Sequence, residues 1–103
     1  MARASLDRQQ RLMEIEVSDG YADATGNFER WRLAEDSAAK TQESARLTQR
    51  AYSLGEVDLQ SLLLARRQAV EAEDAALNAR VMALKSYYRL LVDAHLIWGL
   101  EHS

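Results

Sequence analysis

The chain of 103 residues contains no cysteine and no proline, and it has only four glycines. The absence of cysteine excludes disulfides and metal sites built on thiolates. The absence of proline removes the strongest helix breaker from every position. No apolar run approaches the roughly 20 residues that are needed to cross a bilayer. The N-terminal residues also lack the apolar core of a secretory signal. We therefore expect the chain itself to be soluble.

Acidic and basic residues are nearly balanced, with a formal net charge of −3, and aromatic residues make up only 7% of the chain. No basic patch is interleaved with aromatic residues, which argues against a nucleic acid as partner. Hydrophobic residues make up 48% of the sequence, and many of them are alanine. This composition favours helix formation. The length suits one domain, residues 1–103, with an all-α fold.

Two apolar rows follow the second half of the sequence. The alanine row has alternating spacings of four and three and consists of Ala65, Ala69, Ala72, Ala76, Ala79, Ala83 and Ser86. The leucine row has one member in every seven residues and consists of Leu63, Val70, Leu77, Leu84, Leu91 and Trp98. A simple two-helix coiled coil needs only one such row on each helix. Two rows predict a helix that packs against neighbours on two sides, in a bundle or a helical barrel.

One short segment, residues 53–58, separates two long helical patterns. Gly55 suits the left-handed conformation that ends a helix, and Asp58 suits the N-cap of the next one. We expect Leu54, Val57 and Leu59 to close over this end. The sequence thus predicts a long antiparallel two-helix hairpin, a coiled coil with helices at about 6–52 and 59–100.

The first helix has a heptad pattern that changes character along its length. The residues of this pattern are Val17, Tyr21, Ala24, Phe28, Trp31, Glu35, Ala38, Gln42, Ala45, Gln49 and Tyr52. Its aromatic end should lie beside the bulky C-terminal end of the second helix, which favours antiparallel pairing. Gly20 and Gly26 lie inside this helix, and each costs about 1 kcal/mol relative to alanine. They mark either points of close approach or a break that would give three helices.

Candidate catalytic or metal-binding groups are few. The two histidines, His95 and His102, are seven residues apart, whereas helical metal sites usually need ligands three or four apart. Glu71, Glu73 and Asp74 form an acidic cluster that is typical of a solvated face with some i,i+4 pairing. No nucleophile motif or phosphate-binding loop is present. We expect no enzyme activity, no cofactor and no metal site.

The turn and the helix that follows it carry a resemblance to a known family. The residues concerned are Arg50-Ala51-Tyr52-Ser53-Leu54-Gly55-Glu56-Val57-Asp58-Leu59, then Leu62-Leu63-Leu64-Ala65-Arg66-Arg67, and finally Tyr87-Tyr88-Arg89-Leu90-Leu91. They resemble the last helical hairpin of TolC-type outer-membrane efflux factors, and within that family the outer-membrane components of cobalt-zinc-cadmium efflux systems. The match is strongest between Gln49 and Leu91.

The resemblance implies a place in a larger assembly. Three chains of that family form an α-helical tunnel through the periplasm below a β-barrel. The turn would dock a periplasmic adaptor, or membrane fusion protein, which links the tunnel to an inner-membrane pump. The docking residues implied by position are Leu54, Gly55, Glu56, Val57 and Asp58. Some members narrow the entrance with acidic residues, but Ser61 and Leu64 occupy the matching positions here.

The chain would then be a periplasmic segment of an outer-membrane channel for heavy-metal cations. Isolated from its neighbours, it should hide its apolar rows by forming a dimer, most simply a four-helix bundle. The alternatives are a stand-alone coiled-coil interaction protein and the hairpin of a periplasmic adaptor. An adaptor hairpin would be flanked by lipoyl-type strands, which the sequence does not contain.

Overall fold

Two long helices joined by a short turn make up the fold. The computed structural model describes the backbone of residues 2–102 and the side chains of residues 4–100. Helix α1 spans Ala2–Ser53 and helix α2 spans Leu59–His102. Residues 2–102 contain no strand. The structure is a helical hairpin, which confirms the predicted all-α fold, and both helices extend slightly beyond their predicted outer ends.

Helix α1 is continuous through both of its interior glycines, so the alternative with three helices is wrong. Gly20 is half-buried, and a Cβ atom placed on it would lie 3.6 Å from Cδ1 of Leu90 on α2. The two helices therefore approach each other closely at this position. Packing against α2 outweighs the intrinsic cost of glycine in the helix, because tertiary contacts supply most of the stability of a helix in a folded protein.

The hairpin divides into two compact parts. The turn half comprises Glu29–Arg80, and the terminal half combines the chain up to Phe28 with the chain from Val81 onward. Each half contains one stretch of each helix, and in each half the two stretches pack side by side.

The alanine row forms the contact between the helices in both halves. In the turn half, Ala76 of α2 and Ala38 of α1 are buried. In the terminal half, Ala83 has no exposed surface at all, and Ala24 of α1 is buried with it. Positions with reduced exposure on α2 recur at alternating steps of three and four from Leu62 to Ile97. This is the spacing of a coiled-coil seam, so the alanine row packs within the hairpin.

The pattern predicted for α1 is only partly correct. The residues with reduced exposure, as predicted, are Val17, Ala24, Trp31, Ala38, Ala45 and Gln49. The prediction is wrong for the exposed residues Tyr21, Phe28, Glu35, Gln42 and Tyr52. Reduced exposure is found instead one place earlier in the sequence, at Gly20, Asn27, Ala34 and Thr41, and also at Thr48. Size explains the difference. A close approach to methyl side chains on α2 requires small side chains on α1, so the bulkier residues lie beside the contact.

The leucine row lies outside this contact. In the turn half, Leu63 is 54% exposed, and Val70 and Leu77 are each 57% exposed. In the terminal half, Leu91 is exposed as well, while Leu84 is half-buried. The hairpin therefore buries the alanine row of α2 and leaves most of the leucine row exposed to solvent.

Aromatic side chains meet across the terminal half, as the sequence predicts. The ring centroids of Phe28 and Tyr87 are 6.3 Å apart in an edge-to-face arrangement, and Tyr87 contacts Tyr88 in the same way at 5.7 Å. This geometry is a favourable one for aromatic pairs. In the turn half, the guanidinium of Arg80 lies 5.9 Å from the centroid of the Trp31 ring. The contact of Phe28 with Tyr87 and the contact of Trp31 with Arg80 both join α1 to α2 beside the alanine row.

Replacement of Gly20 by alanine tests the close approach. The added Cβ would meet Leu90 at an ordinary contact distance, and alanine is the better helix former. We expect Gly20→Ala to raise the free energy of unfolding by about 0.5–1 kcal/mol, as measured by urea denaturation. The same replacement at Gly55, whose φ is 74°, should instead lower it by about 1–2 kcal/mol. A loss of stability in Gly20→Ala would contradict the contact described here.

Candidate docking surface at the turn

Helix α1 ends in backbone hydrogen bonds around Gly55. The amide of Glu56 donates to the carbonyl of Ala51 at 2.9 Å, and the amide of Gly55 donates to the carbonyl of Tyr52 at 3.0 Å. With Gly55 at a positive φ of 74°, these bonds form a Schellman motif. The predicted role of Gly55 is therefore confirmed. The motif satisfies carbonyls that would otherwise lack partners and fixes the path of the turn.

Helix α2 begins with Asp58 as its N-cap, as predicted. Oδ1 of Asp58 accepts a hydrogen bond from the amide of Ser61 at 2.8 Å and a second from its hydroxyl at 2.7 Å. The hydroxyl bond and then the amide bond of Ser61 hold the pKa of Asp58 below its ordinary value of 3.8. Both bonds favour the charged carboxylate, which also interacts favourably with the positive end of the helix dipole.

The side chains of the turn are mostly open to solvent. Leu54 is 65% exposed and Leu59 is 51% exposed, while Val57 is half-buried. The expectation that all three close over the end of the hairpin is therefore wrong for the two leucines. Leu62 is buried instead, with only 4% of its surface exposed. It is the first position of the row on α2 that has reduced exposure, whereas Leu54 and Leu59 lie outside that row.

The predicted docking residues Leu54, Gly55, Glu56 and Asp58 are exposed, and only Val57 is half-buried. Together they present one large apolar side chain and two carboxyl groups on a backbone that is fixed from both sides. Such a surface can contact a partner through an apolar anchor with charged neighbours. The structure gives their placement, and their role in docking stays a prediction.

Charged side chains surround the start of α2 and the end of α1. Arg66 donates a hydrogen bond to Gln49 across the two helices. Arg67 forms an ion pair with Glu71 at 3.5 Å, which is one of the predicted i,i+4 pairs. Both residues of this ion pair are highly exposed, so its contribution to stability is small. These contacts position the side chains without creating an enclosed site.

The structure also describes grooves that the sequence did not predict. In the turn half, an open groove runs beside the alanine row and is lined by Glu35, Ala38, Ala39, Gln42, Glu73, Ala76, Leu77 and Arg80. The sequence assigned Glu35 and Gln42 to the contact between the helices, and they border this groove instead. In the terminal half, a second groove is lined by Glu16, Asp19, Gly20, Asp23, Ser86, Arg89 and Asp93. The small size of the alanine row was the signal that could have placed these residues outside.

No group of three or more potential metal ligands lies together among the described residues. The side chain of His102, the second histidine of the chain, lies outside the described residues. The acidic cluster of Glu71, Glu73 and Asp74 is exposed. Within residues 2–102, neither helix has a stretch long and apolar enough to cross a membrane.

Comparisons of the chain with known protein families, with curated proteins and with solved structures found no match. The resemblance to outer-membrane efflux factors therefore stays a prediction, which rests on the residues of the turn and of α2.

The pH dependence of stability tests the N-cap. The folded state lowers the pKa of Asp58, so its contribution is complete above the ordinary value of 3.8 and is lost as the pH falls through the folded value. Asp58→Asn keeps a capping side chain that does not titrate. We expect the stability difference between the wild type and Asp58→Asn to be constant above about pH 5. Below pH 3.8, the wild type should lose stability relative to Asp58→Asn. A difference that does not change with pH would contradict the cap.

Proposed function

We propose that the chain is a wall element of the periplasmic α-helical tunnel of an outer-membrane efflux channel, and that this channel exports heavy-metal cations. Its turn docks a periplasmic adaptor, which connects the tunnel to an inner-membrane pump. In this role the chain catalyses no reaction. Its helices shape a conduit, and its turn provides a contact at the entrance of that conduit.

One observation carries this proposal: α2 has two apolar rows, and the hairpin covers only one of them. In the turn half, Ala76 is buried against α1, whereas Leu63, Val70 and Leu77 are more than half exposed. Soluble monomers rarely expose large contiguous apolar surfaces, and such surfaces mark sites of interaction. An element in a helical wall has a neighbour on each side. The alanine row suits the contact within the hairpin, and the leucine row suits the contact with the next hairpin.

The geometry of the turn supports the second part of the proposal. The Schellman motif at Gly55 and the N-cap at Asp58 fix the backbone on both sides of the exposed side chain of Leu54. A rigid turn loses little conformational freedom on binding, which favours affinity. Leu54 would provide the apolar anchor, and Glu56 would provide a charged group at the edge of the same contact.

In the parent channel, the proposed assembly is a trimer whose hairpins complete the tunnel. An isolated chain lacks the neighbouring hairpins, so its leucine row needs another cover. We therefore expect the isolated chain to self-associate as a dimer. In this proposal, the chain lies in the periplasmic part of an outer-membrane protein.

Binding to an adaptor tests the docking role directly. The purified hairpin of a heavy-metal-type periplasmic adaptor from the same organism is titrated against the immobilised chain. Leu54→Asp should weaken binding tenfold or more, because a charge replaces the apolar anchor at the centre of the contact. Leu33→Asp is the matched control, since Leu33 is 54% exposed on α1 and lies away from the turn. The control should bind as the wild type does.

Equal binding by the two aspartate variants would exclude the turn as the docking surface. No binding by the wild-type chain would favour the alternative of a stand-alone coiled-coil interaction protein. Helix content measured by circular dichroism should be the same in all three proteins, because both leucines are exposed.

A further inference from the structure

The charges around Val70 on α2 are arranged symmetrically and with opposite sign. Arg66 and Arg67 lie four and three residues before Val70, and Glu73 and Asp74 lie three and four residues after it. The basic and acidic pairs are therefore at equal distances from one central position. A surface of this kind is complementary to itself when a second copy runs in the opposite direction.

The apolar residues of the same surface follow the same symmetry. Leu63 lies seven residues before Val70, and Leu77 lies seven residues after it. All three are more than half exposed in the turn half. Residues three, four and seven apart lie on one side of a helix. The four charged residues therefore lie on the side of α2 that carries the leucine row.

We propose that this side of α2 pairs with the same side of a second copy of the chain, in an antiparallel arrangement centred on Val70. Val70 packs on Val70 of the second copy, and Leu63 packs against Leu77 of the second copy. Arg66 then lies beside Glu73 of the second copy, and Arg67 lies beside Asp74 of the second copy. This pair requires neither an adaptor nor the neighbouring hairpins of a channel.

Charge complementarity selects the orientation. A parallel, in-register pair would place Arg66 against Arg66 and Glu73 against Glu73, and like charges at such positions destabilise a pair. The contacts within one chain are compatible with the antiparallel pair. Arg66 already donates to Gln49, and Arg67 pairs with Glu71. Each guanidinium has five N–H donors, so both can also donate to carboxylates of a second copy.

Charge reversal tests the pairing in the full chain. The variants Arg66→Glu/Arg67→Glu and Glu73→Lys/Asp74→Lys each turn the attractive pairs into repulsive ones. We expect each to raise the dimer dissociation constant, measured by sedimentation, about tenfold or more. The variant that combines all four changes restores opposite charges in the antiparallel pair, so its dissociation constant should return close to the wild-type value.

A matched control separates the pairing from net charge. Arg8→Glu/Arg11→Glu changes the net charge by the same amount as Arg66→Glu/Arg67→Glu, but on exposed positions of α1 in the terminal half. It should dimerise as the wild type does. Circular dichroism should give equal helix content for all variants, because every substituted side chain is exposed.

Cross-linking tests the orientation, because the chain has no cysteine of its own. Leu63→Cys and Leu77→Cys should form a disulfide-linked dimer when the two variants are mixed. Neither variant alone should do so. In the antiparallel pair, position 63 lies beside position 77 of the second copy, so the two copies of position 63 would be about 21 Å apart along the helix. Cross-linking of Leu63→Cys with itself would overturn the antiparallel pair. A wild-type chain that stays monomeric, or charge variants that dimerise unchanged, would overturn the pairing itself.

Discussion

The close approach of two helices over methyl-sized side chains is the constraint on which the rest of this structure depends. Ala83 is completely buried, and Ala76 is nearly so. A helix that packs this closely on alanine favours small side chains opposite it. Gly20 and Ala24 meet this condition on α1. The larger residues Tyr21 and Phe28 are therefore displaced to the side of the contact, where Phe28 meets Tyr87.

The same constraint limits the stability of the hairpin and leaves it incomplete. Among residues 4–100, the buried residues are four alanines and Leu62. Burial of a methyl group contributes far less than burial of a leucine side chain. Meanwhile most of the large side chains of the leucine row remain exposed. A hairpin of this kind gains most from a partner that covers its second row. The proposed tunnel wall and the proposed antiparallel pair would each cover the leucine row. In the tunnel the next hairpin covers it, and in the pair α2 of a second copy covers it.

Local chemistry made part of this structure predictable from the sequence. Gly55 and Asp58 act through their own conformation and their nearest neighbours, so their roles at the turn could be assigned. The alanine row was also predictable, since its spacing fixes one side of α2. The matching row on α1 was not, because two patterns share Val17, Ala24 and Trp31. Only the size of the facing residues on α2 decides between the two patterns on α1.

The docking role of the turn depends on a partner, so neither the sequence nor the geometry of one chain determines it. The claim that alanine sets the distance between the helices is tested most directly by Ala83→Leu, with Ala22→Leu on the exposed side of α1 as control. Urea denaturation at fixed protein concentration should show a loss of about 1–3 kcal/mol for Ala83→Leu and a change within about 0.5 kcal/mol for Ala22→Leu. Equal stability of the two variants would contradict the account.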